Sequence, residues 1–422
     1  MRIPTSAALA ALGGALVLGL TVAPAAQAAP ATADCTTDAF GIAGKYGEFV
    51  LGDDVHSPDA EGAVAVGGNA DFRGGFSVGN ELTAAQVDAL PGRASLVVRG
   101  DLLNGGSATV VMKGNAVVGG AVKDRAVELH NGSFSQKADL IDFDAEFTKL
   151  RAYSDALAKE SATSGAEVKL DGSRLTFTGT DDGRNVFTVP ASQLEQAKDI
   201  FIKVPAGATT IINVTGQAYD MAAAGTTGFF LSGGQDFVLD DKLQSANGGA
   251  VRAKLLWNFP DATKIVKSSK AAWPGSVLAP DAHLELGTAA PVNGSVWVAS
   301  LHGSGGAETH HFPFTGCLPE VPGTPSTPSP STTPSGTPST TPPATATPSA
   351  SVPPSGSATP SGTPSGTTTP GAPAPSASPS EPGDGDLAET GSSNMIPITI
   401  GGALVVAAGA SMVVVARRRK RA

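Results

Sequence analysis

Basic residues are scarce in this sequence, and they are nowhere clustered before its last six positions. The 422 residues contain 28 lysines and arginines against 38 aspartates and glutamates, so the formal net charge is −10. Proteins that bind nucleic acid present a basic stripe to the phosphates. The absence of such a stripe argues against nucleic acid as a partner.

Two familiar metal-binding patterns are also missing. The sequence contains no His-Glu-x-x-His zinc motif and no calcium-loop pattern, each of which places its ligands at the spacing that the metal requires. We therefore expect no metal and no cofactor. Because the candidate catalytic residues discussed below are better explained as turns and strand ends, we also expect that the protein is not an enzyme.

Residues 1–28 have the pattern of a secretory signal peptide. A single basic residue, Arg2, precedes a short apolar stretch, and a small-x-small pattern ends at Ala28. We expect signal peptidase to cleave between Ala28 and Ala29. The mature chain would then be secreted.

Only two cysteines are present, and they lie near the two ends of the segment that can fold. In an oxidising exterior, Cys35 and Cys317 are expected to form a disulfide that ties the first strand to the end of the domain. The alternative is two unpaired, buried thiols.

The last 36 residues contain three elements in a fixed order. A pentapeptide at 387–391 is followed by an uncharged apolar segment and then by a basic block. The segment 392–416 is long enough for a transmembrane helix of roughly 20 residues, and basic residues remain cytoplasmic. We predict a basic cytoplasmic tail at 417–422. Its membrane-stop residues are Arg417, Arg418, Arg419, Lys420 and Arg421.

The pentapeptide Leu387, Ala388, Glu389, Thr390 and Gly391 resembles the Leu-Ala-x-Thr-Gly sorting signal of sortase substrates in Gram-positive bacteria. The resemblance implies that a sortase cysteine attacks the Thr390 carbonyl, releases Gly391 and passes Thr390 to the amine of a peptidoglycan precursor. The chain would then be attached covalently to the cell wall, and it would be tethered to the membrane only before sorting. The alternative is a membrane anchor that is never cleaved.

Residues 320–386 are predicted to form a disordered stalk. Between residues 322 and 380 the sequence consists almost entirely of Pro, Ser, Thr, Gly and Ala and has no charged residue. It lacks the large apolar side chains that a core requires, and proline favours an extended conformation. The stalk would act as a spacer through the wall.

Residues 29–319 are the part of the chain that can fold, and we predict a mainly β head. Short apolar runs end in Gly-Asn or Gly-Asp pairs at 68–69, 100–101 and 114–115, where glycine readily adopts the positive φ of a turn. The unequal steps between the runs are typical of a β-helix, or solenoid, whose turns carry loops of different length. A β-sandwich would alternate more regularly.

One long α-helix is predicted at residues 139–159. Apolar residues recur there at spacings of three and four, namely Leu140, Phe143, Phe147, Leu150, Tyr153 and Leu157. Asp139 is positioned to cap the helix, with Asp142 in its first turn. Because the apolar stripe must be buried, we expect the helix to flank the solenoid.

Segments 59–69, 256–260, 275–280 and 306–314 resemble the choice-of-anchor A domain of bacterial surface proteins, which implies an adhesin that carries one of several kinds of anchor. Segments 277–279 and 294–299 also resemble ice-binding-like β-helices, which have a helix packed alongside. Ice binding itself would require rows of threonine on a flat face, and only residues 176–180 approach that pattern. We take the second resemblance as one of fold.

A wall-tethered carbohydrate-active enzyme is the alternative function, because β-helices also carry polysaccharide hydrolases and lyases. Such an enzyme needs two facing carboxylates. The candidates are Asp53, Asp54, Asp59, Glu61, Asp181, Asp182, Asp240 and Asp241. The Asp-Asp-Gly sequence at 181–183 is more typical of a turn.

A metal site near the end of the head is a further candidate. Along a strand, Glu308 and His310 would share one side and His311 the other, which leaves two ligands where three or four are needed. A polar strand end is therefore the preferred interpretation. The sequence as a whole predicts a secreted, wall-anchored adhesion or surface-structural protein, whose ligand, a glycan or a protein, it does not identify.

Overall fold

The computed structural model describes residues 35–36, 38–268, 270–303 and 305–319. The predicted signal peptide, stalk, sorting pentapeptide, apolar segment and basic tail lie outside these ranges. Within them, no helix is both long and apolar enough to cross a membrane.

Strands dominate the described head, and its helices are few. The strands of the first half are β1 (Cys35–Thr36), β2 (Glu48–Val50), β3 (Asp54–Val55), β4 (Asp59–Ala60), β5 (Val64–Val66), β6 (Ala70–Asp71), β7 (Phe76–Val78), β8 (Ala94–Val98), β9 (Leu102–Leu103), β10 (Thr109–Val111), β11 (Asn115–Val118), β12 (Val122–Lys123), β13 (Glu128–Leu129) and β14 (Phe134–Gln136). Those of the second half are β15 (Glu167–Asp171), β16 (Arg174–Thr178), β17 (Arg184–Pro190), β18 (Asp199–Lys203), β19 (Thr209–Thr215), β20 (Ala218–Asp220), β21 (Gly228–Ser232), β22 (Val238–Leu239), β23 (Leu255–Asn258), β24 (Lys264–Val266), β25 (Trp273–Pro274), β26 (Ser276–Glu285), β27 (Val292–Asn293), β28 (Val296–His302), β29 (Thr309–His310) and β30 (Leu318–Pro319). The α-helices are α1 (Ala84–Ala89), α2 (Phe143–Ala158), α3 (Ala191–Leu194) and α4 (Met221–Ala224), and 3-10 segments cover Ala43–Lys45, Pro91–Arg93, Ala246–Gly249 and Arg252–Lys254.

Parallel strands from successive turns of the chain stack into three faces. The first, here called the helix face, has the order β14-β11-β8-β5-β2-β28-β26-β23-β19-β17. The second face is β12-β9-β6-β3-β28-β26-β24-β20, and the third face is β13-β10-β7-β4-β29-β27-β25. A separate five-stranded sheet has the order β15-β16-β18-β21-β22. The prediction of a mainly β, solenoid-like head is confirmed by this parallel stacking.

The order of the strands reveals a seam that the sequence did not predict. On the helix face β2 pairs with β28, on the second face β3 pairs with β28, and on the third face β4 pairs with β29. The first half of the chain therefore builds outward from the middle of the solenoid, and the second half returns to it. Residues far apart in sequence, such as Glu48 and Val296, become direct neighbours.

Glycines line one corner of the solenoid because consecutive turns approach closely there. The backbone nitrogens of Gly68, Gly100 and Gly120 donate to the carbonyl oxygens of Gly52, Gly68 and Gly100, each at 2.8 Å. A Cβ on Gly120 would lie 2.7 Å from the Gly100 backbone. Of the three predicted turn glycines only Gly114 has a positive φ, +87°. The prediction was wrong for Gly68 and Gly100, where close stacking is what requires glycine.

Helix α2 begins later than predicted. Its N-cap is Asp142, whose side chain accepts a hydrogen bond from the Ala145 nitrogen at 3.0 Å, so the assignment of the cap to Asp139 was wrong. The physical reason is that the Lys137 nitrogen still donates to Val118 O in the solenoid. Residues 138–141, which include Leu140, therefore connect the last strand of this half of the solenoid to the helix.

The apolar side of α2 covers the helix face, as predicted. One hydrophobic cluster contains its side chains together with outward-facing residues of eight consecutive strands, namely Val97, Ala65, Phe49, Trp297, Leu278, Leu256, Ile211 and Val186. The rings of Phe143 and Phe147 stack on Phe49 with centroids 5.1 and 5.6 Å away. Because Phe49 and Trp297 lie on opposite sides of the seam, the helix also bridges it.

The two ends of the head meet in a short antiparallel pair. Strand β1 pairs with β30, so that Cys35 lies opposite Pro319 and Thr36 opposite Leu318. This register brings the backbone at Cys35 close to the segment that carries Cys317. It is compatible with the predicted disulfide, which stays a prediction.

Candidate functional site

The seam brings together some of the acidic residues that the sequence singled out. Because β4 and β29 pair through Ala60 and Thr309, Asp59 and Glu61 of the first turn lie beside Glu308 and His310 of the last. The other candidates lie elsewhere. The Asp181 side chain accepts from the nitrogens of residues 183 and 184 at 2.8 and 2.9 Å, so the turn predicted there is present.

In the last turn, Glu308 and His310 lie on one side of the strand and His311 on the other, as predicted. Glu308 Oε1 is 3.0 Å from His310 Nε2, and Glu61 Oε1 lies 3.9 Å from the same nitrogen. His311 points elsewhere, and its Nε2 is 2.9 Å from Gln86 Nε2. The strand therefore contributes Glu308 and His310 to one site, and Glu61 comes from the first turn.

Asp59 and Glu308 are hydrogen-bonded to each other in the third face. Burial, together with a hydrogen bond to Glu308 and its charge, raises the pKa of Asp59 to about 7. The hydrogen bond with His310 is the main cause that lowers the pKa of Glu308 to about 2. The two carboxyl groups are in direct hydrogen-bonding contact, whereas hydrolysis of a glycoside needs carboxylates separated by about 5–10 Å. The pair does not have the geometry of that reaction.

We expect Asp59→Asn to change the pH dependence of stability. The folded-state pKa of Asp59 is raised, so its contribution is fully present below pH 4 and is lost as the pH rises through about 7. Asparagine keeps a donor towards Glu308 at every pH. Thermal unfolding should therefore show a variant that gains stability relative to wild type between pH 5 and pH 8. An equal difference in melting temperature at pH 5 and pH 8 would contradict the raised pKa of Asp59.

Asp240 belongs to a buried network behind this site. Its carboxylate lies 3.3 Å from Arg252 Nη1 and accepts from Asn293 Nδ2 at 2.8 Å. Asn293 Oδ1 is 2.8 Å from His310 Nδ1. Burial raises the pKa of Asp240, and the Arg252 charge opposes that rise. Asp241 instead forms a turn by accepting from the nitrogens of the residues that follow it.

The sequence analysis overlooked a buried ionisable cluster inside the seam. Glu48, Asp54 and His56 are all within the core, with exposed side-chain fractions of 0%. His56 Nδ1 is 2.7 Å from Asp54 Oδ1, and its Nε2 is 3.4 Å from Glu48 Oε1. Burial raises the pKa of Asp54 to about 6, with His56 acting against it. Burial lowers the pKa of His56, but the charges of both acids raise it well above its ordinary value.

Strand positions explain why these polar groups are inside. Asp54 lies between Leu301 and Ala70 in the stack of strands that forms the second face. The side chains of both neighbours face the core, and the side chain of Asp54 does so too. Glu48 occupies the equivalent inward column of the helix face, beside Val64 and Val296. The Asp54-x-His56 spacing was the available signal, since alternate residues of an extended chain lie on the same side.

Ser77, in the third face, lies in a sequence motif typical of nucleophilic serines, but its local structure differs from theirs. Residues 75–79 read Gly-Phe-Ser-Val-Gly, which matches the Gly-x-Ser-x-Gly pattern. In hydrolases that pattern forms a sharp turn from a strand into a helix. Ser77 instead lies in the middle of β7, paired with Asp59 on one side and Val110 on the other.

The second face carries a ladder of polar side chains. Asp53 Oδ1 accepts from the Asn69 nitrogen at 2.7 Å, Asn69 Oδ1 from the Asp101 nitrogen at 2.9 Å, and Asp101 Oδ1 from the Ala121 nitrogen at 2.8 Å. A shallow depression of about 290 Å³ lies beside this ladder. Asp53 is therefore occupied in holding successive turns in register.

The outer side of the five-stranded sheet presents aromatic rings next to charged side chains. The rings of Phe201 and Phe230 stack with centroids 4.5 Å apart, and Phe237 meets Phe201 edge-on at 5.0 Å. The Arg174 guanidinium lies 3.6 Å above the Phe201 ring. Thr176 lies in the register row of both stacked rings, so its neighbours across the sheet are phenylalanines and not the threonine row that ice binding would require.

A second shallow depression adjoins this aromatic group. It measures about 210 Å³, and it is lined by the outward side chains of two neighbouring strands, namely Glu167, Lys169, Asp171, Arg174, Thr176 and Thr178. Alternation along β15 and β16 leaves these side chains at the surface, while Leu175 and Phe177 of β16 enter the core. We call this surface, with Phe201, Phe230 and Phe237, the aromatic sheet surface.

Comparison with known proteins identifies the family of the head. Residues 39–311, more than half of the chain, match the family model of an ice-binding-like adhesive domain. Among solved structures, the crystal structure of an ice-binding protein from an Antarctic biological consortium aligns with 11% sequence identity and a TM-score of 0.26, covering 65% of this chain and 91% of that one. No curated protein matches. The chain belongs to the family of ice-binding-like adhesive domains.

Proposed function

We propose that the protein is an adhesin of the bacterial cell surface, with a binding head, an extended stalk and a sortase-cleaved anchor. The family of the head supports adhesion, and the order of pentapeptide, apolar segment and basic block supports the anchor. Its partners would be a sortase, a peptidoglycan precursor and a surface ligand. The finer resemblance to choice-of-anchor A domains is part of the same proposal.

The observation that carries the binding role is the aromatic sheet surface. Aromatic rings on the solvent side of a sheet offer large, rigid contact areas at low conformational cost. Arg174 adds a planar cation that pairs with carboxylate and other polar groups. The helix face is covered by α2, whereas Phe201 and Phe230 are only partly buried. An extended glycan or protein segment would lie across these rings.

Catalysis has less support than binding. In the described part of the chain, neighbouring acidic groups are either inside the core, as Glu48 and Asp54 are, or hydrogen-bonded to each other, as Asp59 and Glu308 are. The two described depressions are shallow. We therefore propose that the head binds its ligand without transforming it, in preference to a carbohydrate-active enzyme.

A screen of the purified chain against glycans and matrix proteins tests the proposal. We expect saturable binding to at least one ligand, and Phe201→Ala with Phe230→Ala should weaken it about tenfold or more, since interface rings often contribute over 1 kcal/mol each. Phe134→Ala is the matched control, because that ring is 45% exposed in β14, outside the five-stranded sheet. Equal losses in the control and the double variant would place the ligand elsewhere.

A further inference from the structure

We propose that Glu48, Asp54 and His56 form a binding site for one divalent transition-metal ion inside the seam. One ligand atom from each residue lies within 4.8 Å of those from the other two. Two carboxylates and an imidazole make a mixed oxygen and nitrogen set. This proposal departs from the expectation that the head binds no metal, and it does not depend on the adhesive function.

Unpartnered atoms in the cluster point to a ligand. Glu48 Oε2 and Asp54 Oδ2 make no hydrogen bond, and His56 Nε2 has only its 3.4 Å contact with Glu48 Oε1, although the three side chains are fully buried. Buried polar atoms without partners are costly, and native proteins rarely keep several of them together. Small rotations of these side chains would direct the free atoms towards one cation.

Charge balance favours a dication. A metal ion that binds here takes the place of the His56 proton, because a ligating imidazole is neutral. The two carboxylates then carry two negative charges, which a divalent ion neutralises within a core of low polarity. Imidazole suits zinc, iron and related metals, whereas calcium takes six to eight oxygen ligands and magnesium keeps several waters. The imidazole ligand and the small number of oxygen ligands therefore both favour a transition-metal ion.

A residue next to the cluster holds one of the proposed ligands in place. Thr309 Oγ1 donates to Glu48 Oε1 at 2.6 Å, and such an outer hydrogen bond holds a ligating carboxylate in orientation. Thr309 comes from the last turn, while the three proposed ligands come from the first. A bound ion would therefore stabilise the closed seam, because a metal that binds only the folded state favours it.

Metal analysis of the full chain tests the site. After purification and washing with EDTA, mass spectrometry of the metal content should find about one transition-metal ion per chain. Chain unfolded and refolded in EDTA should melt several degrees lower than chain refolded with Zn²⁺. Refolding with Co²⁺ as a probe should give visible absorption bands of a bound ion.

Two sets of variants separate this site from surface binding. His56→Gln, or Asp54→Asn if the first variant fails to fold, should abolish the retained metal and the Co²⁺ bands. His283→Ala with His302→Ala is the matched control, because these half-exposed histidines lie beside Glu285 on the second face and should leave both signals intact. A wild-type chain without retained metal, whose melting temperature is the same after refolding with EDTA or Zn²⁺, would overturn the proposal. Loss of the metal from the His283 and His302 double variant alone would also overturn the proposal.

Discussion

Phe147→Ala is expected to lower the free energy of unfolding by about 3–5 kcal/mol, as truncation of a buried phenylalanine does. The ring is fully buried and stacks on Phe49, and Arg151 lies 5.8 Å from its centroid. Its loss would open a cavity between α2 and the helix face. Because α2 covers strands on both sides of the seam, the loss should affect the whole head and not only the helix.

Chemical denaturation measures this effect. The matched control is Thr148→Ala, the next residue of α2, whose side chain is exposed and donates to the Asp144 carbonyl oxygen of the same helix. It should shift the midpoint far less than Phe147→Ala. Equal midpoints for Phe147→Ala and wild type would show that the helix contributes little to the stability of the head.

Thr390→Ala is expected to abolish covalent attachment to the cell wall. In the proposed reaction the acyl group transferred to the wall precursor is that of Thr390 itself, and the sortase selects this position by its side chain. The mutant chain should accumulate in the membrane or the medium. Glu389→Ala is the matched control, since it changes the variable position of the pentapeptide and should leave attachment intact.

Digestion of purified walls with muramidase distinguishes the outcomes. Wild type and Glu389→Ala should be released as species carrying wall fragments, and Thr390→Ala should be absent from the wall fraction. Wall-linked Thr390→Ala protein would contradict the sortase mechanism. Wall linkage missing from all three chains would indicate a tail anchor that is never cleaved.

Local patterns in the sequence predicted local structure well. The three-and-four spacing of Phe143, Phe147 and Leu150 identified α2 and its buried side, because a helical stripe depends only on neighbours along the chain. The cap was misplaced by three residues, since where the helix begins depends on where Lys137 leaves the solenoid. Gly68 shows the same limit, since its role comes from a turn stacked above it.

Long-range pairing could not be predicted from the sequence. Nothing in the spacing of the strands indicates that β2 pairs with β28, because the register of a solenoid is set by contacts between turns remote in sequence. The hydrogen bond between Asp59 and Glu308 and the contact of Thr309 with Glu48 both depend on that pairing. The aromatic sheet surface was missed for a related reason. In the sequence Phe201 and Phe230 resemble core residues, and only the position of their strands in the sheet shows that these side chains lie on the solvent side.

Retention of cells under flow tests most directly whether the head is an adhesin. A Gram-positive host displays the wild-type chain, the Phe201→Ala and Phe230→Ala double variant, or the Phe134→Ala control at matched surface density, over a surface coated with the ligand found in the screen. We expect the wild type and the control to be retained and the double variant to be washed away. Retention of all three to the same extent, or a wild-type chain that binds no ligand and retains no cells, would contradict an adhesive head that binds through its aromatic sheet surface.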